Sequence, residues 1–335
     1  MQYIVTVDGG TSKTRVYLWS TEGQILAVKE KKIGAKDSAT HGTTEVWKHS
    51  IHDMILEIRK ENDISEEDLA GIYMSGMLTS NLGIVEIPHK EAPISMKDFQ
   101  EQVVKMKIPD ICETEITFIP GIKNSVPEDQ SLDAYRSFDM MRGEETETYA
   151  LIKKYGIGKD TILVLPGSHN KYVYIDKEGT ILGTQTTLSG ELLDAIIRNT
   201  IVSDSVAGEF LKLSDYNMEM IRYGCRMYRE EGIGRALFLT RIFGQFAKKS
   251  PSELQNYVLG VAIASDVTAV KTSHYFEKNE DVRVIIYGKN SFCHAFYDLL
   301  NEEKIFDEIL LDCNTEKPAA AVGAYEIARK IERKE

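Results

Sequence analysis

The stretch Ile4-Val5-Thr6-Val7-Asp8-Gly9-Gly10-Thr11-Ser12-Lys13 carries an apolar run straight into a glycine-rich turn. It continues as Arg15-Val16-Tyr17-Leu18-Trp19, turns at Glu22-Gly23, and resumes as Gln24-Ile25-Leu26-Ala27-Val28-Lys29. Three short runs joined by glycine turns predict an antiparallel meander. The first turn is suited to phosphate. Gly9 and Gly10 let the backbone come close and aim N–H groups at anionic oxygens. Thr11 and Ser12 can donate, Lys13 can neutralise charge, and Asp8 can hold a hydrated Mg²⁺. The plainer reading is hairpin chemistry alone, for which Asp-Gly serves equally well.

Outward from this stretch the pattern recurs. Thr161-Ile162-Leu163-Val164-Leu165 leads through Pro166-Gly167-Ser168 into Lys171-Tyr172-Val173-Tyr174-Ile175, and Glu178-Gly179 turns it into Thr180-Ile181-Leu182. Two meanders about 155 residues apart imply two related domains. Gly167-Ser168-His169-Asn170-Lys171 occupies the phosphate turn of the second copy. Between them, Trp47, Ile51, Met54, Ile55 and Ile58 form one stripe of an amphipathic helix. Ala70-Gly71-Ile72-Tyr73-Met74 reads as a further strand ending at Ser75-Gly76. A largely helical stretch covers about 204–278, followed by the strand 282–287, the turn Gly288-Lys289-Asn290, and a helix whose Phe292, Phe296, Leu299 and Leu300 share a face. The domain boundary falls near Tyr155-Gly156-Ile157-Gly158. That gives domains over 1–158 and 159–317, with a helix over about 318–335 free to return to the first.

The 335 residues are enough for two cores. Hydrophobic residues at 42% and charged residues at 27% are ordinary globular values. A formal net charge of −12 argues against nucleic acid or an anionic membrane as partner. Cys112, Cys225, Cys293 and Cys313 form no C-x-x-C pair, as expected of reduced thiols in the cytoplasm. No apolar run approaches the ~20 residues that span a bilayer. Two other nucleotide motifs fail: Gly156-Ile157-Gly158-Lys159-Asp160 lacks the earlier glycine and the hydroxyl of a P-loop, and Gly232-Ile233-Gly234 lacks a third glycine.

Two phosphate hairpins in this order, then a glycine turn before a C-terminal helix, resemble the actin/hexokinase/sugar-kinase superfamily. The resemblance implies an α/β fold of two RNase H-like domains with an interdomain cleft. It also implies adenosine packing on Gly288, Lys289 and Asn290. Small residues at Ala319-Ala320-Ala321-Val322-Gly323-Ala324 suit close helix packing. The block Met141-Arg142-Gly143-Glu144-Glu145-Thr146-Glu147, with Ile119-Pro120-Gly121, Leu165 to Tyr172, Ser75-Gly76-Met77, Ser80-Asn81, Glu86-Ile87-Pro88 and Leu188-Ser189-Gly190-Glu191, resembles the 2-dehydro-3-deoxygalactonokinase family. Gly9, Ile84 and His89 depart from it, standing where an aromatic residue, a Trp and a Tyr are usual.

What the resemblance implies is ATP-dependent phosphorylation of 2-dehydro-3-deoxy-D-galactonate on its 6-hydroxyl, with Mg²⁺ near Asp8. The ATP phosphates would meet Gly9, Gly10, Thr11, Ser12, Gly167, Ser168 and His169, with Lys13 neutralising charge. Glu144 matches the base of related carbohydrate kinases, with Glu145 and Asp139 behind it. The residues as such read equally as acidic charges opening a helix. Gly76, Met77, Ser80, Asn81, Arg142 and Lys171 are the candidate substrate contacts. Another sugar or sugar acid, or a non-catalytic regulatory or actin-like role, are the alternatives. The oligomeric state stays open, a homodimer among the options.

Overall fold

Runs with apolar residues on both faces make strands that need cover on both sides, and two such sheets organise the chain. A computed structural model describes residues 2–273, 275–276 and 281–333. The chain divides into two compact units. The first comprises Met1–Gly158, Glu178–Thr184 and Glu316–Glu335, the second Lys159–Lys177 and Gln185–Thr315.

In the first unit, β1 (Tyr3–Gly9), β2 (Thr14–Trp19) and β3 (Ile25–Lys31) form the expected meander, and β4 (Leu69–Gly76) and β5 (Ile116–Phe118) extend it. The order is β3-β2-β1-β4-β5, with the short strand Val104–Met106 at the far edge. β1, β2 and β3 pair antiparallel, whereas β1 with β4 and β4 with β5 run parallel. Helices α1 (Ala35–His41) and α2 (Glu45–Glu61) follow β3, and α3 (Glu144–Tyr155) closes the unit's main segment. The stripe Trp47, Ile51, Met54, Ile55 and Ile58 of α2 is buried on the sheet against Val5, Val7, Val16 and Leu18.

The chain from Thr161 to Asp312 repeats the plan with β6 (Thr161–Leu165), β7 (Asn170–Ile175), β8 (Thr180–Thr187), β9 (Arg283–Tyr287) and β10 (Glu308–Asp312). The order β8-β7-β6-β9-β10 matches the first sheet strand for strand, with β6, β9 and β10 parallel. Its helices are α4 (Ser189–Asn199), α5 (Met218–Gln245), α6 (Pro251–Lys271) and α7 (Ser291–Glu303). α5 and α6 occupy the helical stretch expected over about 204–278, of which residues 274 and 277–278 lie outside the described residues. A capping box from Ser250 and Glu253, with Pro251 in the first turn, starts α6. From Leu254 to Ala264 every residue of α6 is buried, the mark of a helix surrounded by protein. Glycines set its crossing with α5: a Cβ on Gly224 would lie 2.0 Å from the Tyr257 carbonyl oxygen, and one on Gly260 2.0 Å from that of Ile221.

The last helix, α8 (Ala319–Arg333), belongs to the first unit. Ala321, Tyr325 and Ala328 cover the sheet face made by Ile4, Tyr17, Trp19 and Tyr73. Tyr325 stacks on Trp19 with centroids 4.7 Å apart. Small residues matter here for contact with α3. A Cβ on Gly323 would sit 1.8 Å from the Thr146 carbonyl oxygen.

The fold is therefore the expected α/β class of actin/hexokinase type, a mixed sheet of one strand order built twice.

Candidate active site

The first hairpin joins β1 to β2 through residues 10–13, closed by Gly10 N–H donating to the Lys13 carbonyl at 2.8 Å. Thr11 and Ser12 are exposed at its tip. Two supports fix it from beneath. Trp47 Nε1 donates to Thr14 Oγ1 at 2.7 Å, and that hydroxyl donates to the Ile33 carbonyl at 2.7 Å. The start of α1 then donates to the loop, Ala35 N–H to Gly10 O at 3.2 Å and Lys36 N–H to Thr11 O at 2.9 Å. Gly9 leaves no room for a side chain. Its Cβ would fall 2.4 Å from Leu78 Cγ and 2.9 Å from Trp47 Cζ2.

Three glycines bring the acidic block to the same place. Gly9 ends β1 opposite Gly76 of β4, so Asp8 pairs with Ser75. Gly76 has φ +75°, and its Cβ would meet Gly9 O at 2.5 Å. Gly143 has φ +114° and would present a Cβ 3.5 Å from Gly76 Cα. Both positive φ values favour glycine strongly. Gly143 is also the N-cap of α3, so Glu144 and Glu145 open that helix beside the end of β1. Glu144 Oε2 accepts from Arg142 N–H at 3.0 Å, and Glu145 Oε2 accepts from Gly143 N–H at 2.7 Å.

These carboxylates feel one another. Burial pushes the Asp8 carboxyl above the ordinary carboxylate range; Arg15, 3.7 Å away, pulls it down and Glu144 pushes it up. Burial and then the Glu144 charge push Glu145 up to about 8. Glu147 is likewise pushed up to about 8, by burial first, then Glu144 and Asp8. Crowded carboxylates of this kind mark functional sites more often than plain surfaces. Asp139 lies before the short strand Met140–Met141, and its carboxylate accepts from Met140 N–H at 2.6 Å.

The other candidates of the first unit fall around this point with different freedom. Lys13 Nζ is 2.8 Å from Glu30 Oε1, a half-exposed pair. Arg142 is tied within the protein: its guanidinium donates to Thr79 O at 2.6 Å and Ile87 O at 3.0 Å, and lies 3.1 Å from His89 Nδ1. It clamps the loop 77–89 to the acidic block. Ser80 Oγ donates to Met77 O at 2.8 Å and accepts from Leu82 N–H at 3.2 Å. Asn81 is exposed, Met77 half-buried.

The second hairpin lies between Leu165 and Lys171, which are paired. Gly167 N–H donates to Asn170 Oδ1 at 3.0 Å, while Ser168 and His169 are exposed. His169 Nε2 is 2.8 Å from Glu191 Oε2. Here too a helix start supports the loop. Glu191 N–H donates to Ser168 O at 2.8 Å, and a Cβ on Gly190 would come within 1.9 Å of Gly167 O. Gly34 and Gly190 are thus equivalent, each passing a hairpin where a side chain would collide. Lys171 is buried, with Nζ 2.5 Å from Thr186 Oγ1. In the C-terminal turn, Gly288 N–H donates to Asp312 O at 2.9 Å, Lys289 is exposed, and Asn290 caps α7 through Cys293 N–H at 3.0 Å.

Sequence reasoning missed Trp47–Thr14, Gly34 and the clamp formed by Arg142. Only Gly34 had a visible signal, a lone glycine between a strand and a helix.

The sequence model of the family described as 2-keto-3-deoxy-galactonokinase matches residues 8–320. The chain belongs to that family. It is 29% identical over 205 residues to a "probable 2-dehydro-3-deoxygalactonokinase" of Rhizobium meliloti (strain 1021), covering 61% of this chain and 60% of that one. It is 24% identical over 208 residues to the 2-dehydro-3-deoxygalactonokinase of Escherichia coli (strain K12), covering 59% and 62%. The matches thus span about three fifths of these relatives' lengths. A crystal structure of a "putative 2-dehydro-3-deoxygalactonokinase protein" from Sinorhizobium meliloti superposes with a TM-score of 0.76 at 22% identity, covering 98% of this chain and 99% of that one. It bears out the fold.

Proposed function

We propose that the protein transfers the γ-phosphoryl group of ATP to the 6-hydroxyl of 2-dehydro-3-deoxy-D-galactonate, giving ADP and the 6-phosphate. Membership of the 2-keto-3-deoxy-galactonokinase family supports the reaction class. The observation that carries the site is the glycine-packed corner holding Glu144 beside Asp8.

Phosphoryl transfer to an alcohol needs positioning, charge neutralisation and a proton acceptor. Glu144 takes the hydroxyl proton as the acceptor oxygen bonds to phosphorus and the bond to the β-phosphate oxygen breaks. Asp8 and Glu144 are two hard oxygen donors whose mutual repulsion a divalent cation would relieve. No group of three or more His, Cys, Asp or Glu ligands occurs among the described residues. Mg²⁺ completes its shell with water and phosphate oxygens; Asp8 is the residue that would hold it. Bound there, Mg²⁺ would neutralise charge on the phosphates. Each hairpin offers backbone N–H groups and hydroxyls to phosphate oxygens, from Gly10 to Ser12 and from Gly167 to His169. Lys13 can leave an exposed partner at little cost. Gly288, Lys289 and Asn290 would meet the adenosine through backbone and the Lys289 stem, since the Asn290 side chain is committed to its cap. Asn81 and the Gly76-Met77 backbone would hold the sugar acid, with Arg142 fixing the loop beneath, whereas Lys171 is engaged with Thr186.

ADP release, coupled to an indicator reaction, should be followed across 2-keto-3-deoxy acids, aldonates and hexoses. Turnover strongest with 2-dehydro-3-deoxygalactonate is expected. ATP hydrolysis indifferent to any sugar acid would overturn the reading. Preference for another acid would point to Ile84 and His89, where this chain departs from its family.

A further inference from the structure

Behind the second hairpin lies a carboxylate that the reaction does not touch. Asp266, on α6, is fully buried. One oxygen accepts from Asn170 Nδ2 at 2.8 Å, and the other from Ser189 Oγ at 2.6 Å. Asn170 spends its own carbonyl on Gly167 N–H at 3.0 Å, so its side chain links the hairpin tip to Asp266. Ser189 opens α4, whose next residues meet the same tip: Gly190 against Gly167 O, and Glu191 N–H donating to Ser168 O. A single carboxylate therefore fixes the loop from its inner side and the helix start that supports it. The first hairpin is held otherwise, by Trp47 on Thr14.

We infer that Asp266 is a positioning residue for the second phosphate hairpin. It orients Asn170, and through it the Gly167 peptide, so that backbone N–H groups of the loop are aimed before the nucleotide arrives. Separate donors point at its two oxygens and oppose the burial that pushes its carboxyl above the ordinary carboxylate range. Swapping one oxygen for an amide sets N–H against a donor. The inference rests on the proposed kinase reading only for what the hairpin binds, not for how it is held.

The test separates the two. In Asp266→Asn and in Asn170→Ala, hydrogen exchange followed by mass spectrometry should quicken at 165–171 while 254–264 keeps its protection. KM for ATP should rise roughly tenfold, the size expected for a lost buried hydrogen bond. The KM for the sugar acid and the turnover at saturating ATP should stay within about threefold. The double variant should be no worse than the more damaged single one, since both break one chain of contacts. Wild-type exchange at 165–171 in both variants would overturn the positioning role. Faster exchange with an unchanged KM for ATP would keep the role and sink the phosphate reading of the hairpin. Should Asp266→Asn also lose protection at 254–264, the outcome in Asn170→Ala decides.

Discussion

Glu144 and Glu145 are neighbours with opposite situations. Glu144 faces the Asp8 corner, whereas Glu145 is fully buried beneath Gly143. If Glu144 takes the hydroxyl proton, Glu144→Gln should lower kcat by about 10²- to 10⁴-fold with KM values little changed. Steady-state kinetics on a variant with an unaltered thermal transition checks this; near-normal turnover would remove Glu144 from the reaction. Glu145 makes a claim on stability. Its carboxyl is raised from 4.5 to about 8 by burial, so the folded state binds its proton more tightly than the unfolded chain. The stability this contributes is complete below 4.5 and is lost as pH rises through about 8. Glu145→Gln cannot ionise and keeps a carbonyl for Gly143 N–H. Wild-type stability minus variant stability, from urea midpoints, should therefore fall steadily between pH 5 and pH 9. A flat difference would mean that Glu145 is not protonated in the fold.

At the scale of elements, close helix contacts made through glycine hold α3 in place. Gly323 lets α8 approach Thr146, in the first turn of the helix that carries Glu144. Gly323→Ala must push the helices apart, and overpacking of this kind costs about 1–3 kcal/mol. Thermal unfolding should show the loss, and kcat should fall with it because α3 carries Glu144. Unchanged activity at reduced stability would separate the crossing from the corner. Much of this level was legible in the residues. The strand runs, the glycine turns and the α2 stripe followed from local periodicity, and they recur in the fold with the same faces buried. What stayed hidden depends on partners far along the chain. Arg142 reaches Thr79 across 63 residues, and Asn170 reaches Asp266 across 96. Periodicity carries no trace of either. Arg142 reads as a substrate contact because a guanidinium suits a carboxylate; in the fold it also binds the carbonyls of Thr79 and Ile87. Asn290 was readable as a helix cap from its place before a helical stripe, and the nucleotide reading masked that.

The whole molecule is one plan built twice but closed differently. The second unit takes its strands and helices from 159–315 apart from the short return 178–184, whereas the first needs α8 from beyond it. Ending the chain at Thr315 would strip Tyr325 from Trp19 and bare Ile4, Tyr17 and Tyr73. Each such large side chain is worth roughly 1.5–3 kcal/mol when buried. Together they rival the ~5–15 kcal/mol stability of an ordinary domain. The shortened chain should therefore bind a hydrophobic dye strongly and lose the near-ultraviolet circular dichroism of Trp19. A wild-type melting transition would contradict this account of α8.

The same helix sets a timetable. The sheet face that it covers is translated early, and its cover leaves the ribosome only after the second unit has been made. At ~5–20 residues per second, the gap between Tyr73 and Tyr325 lasts on the order of ten to fifty seconds. Through that interval the nascent first unit carries an uncovered aromatic surface while the later one is free to finish. The first unit can therefore complete its sheet cover only after the second has been synthesised, and a holdase acting on the nascent N-terminal half would have its substrate there.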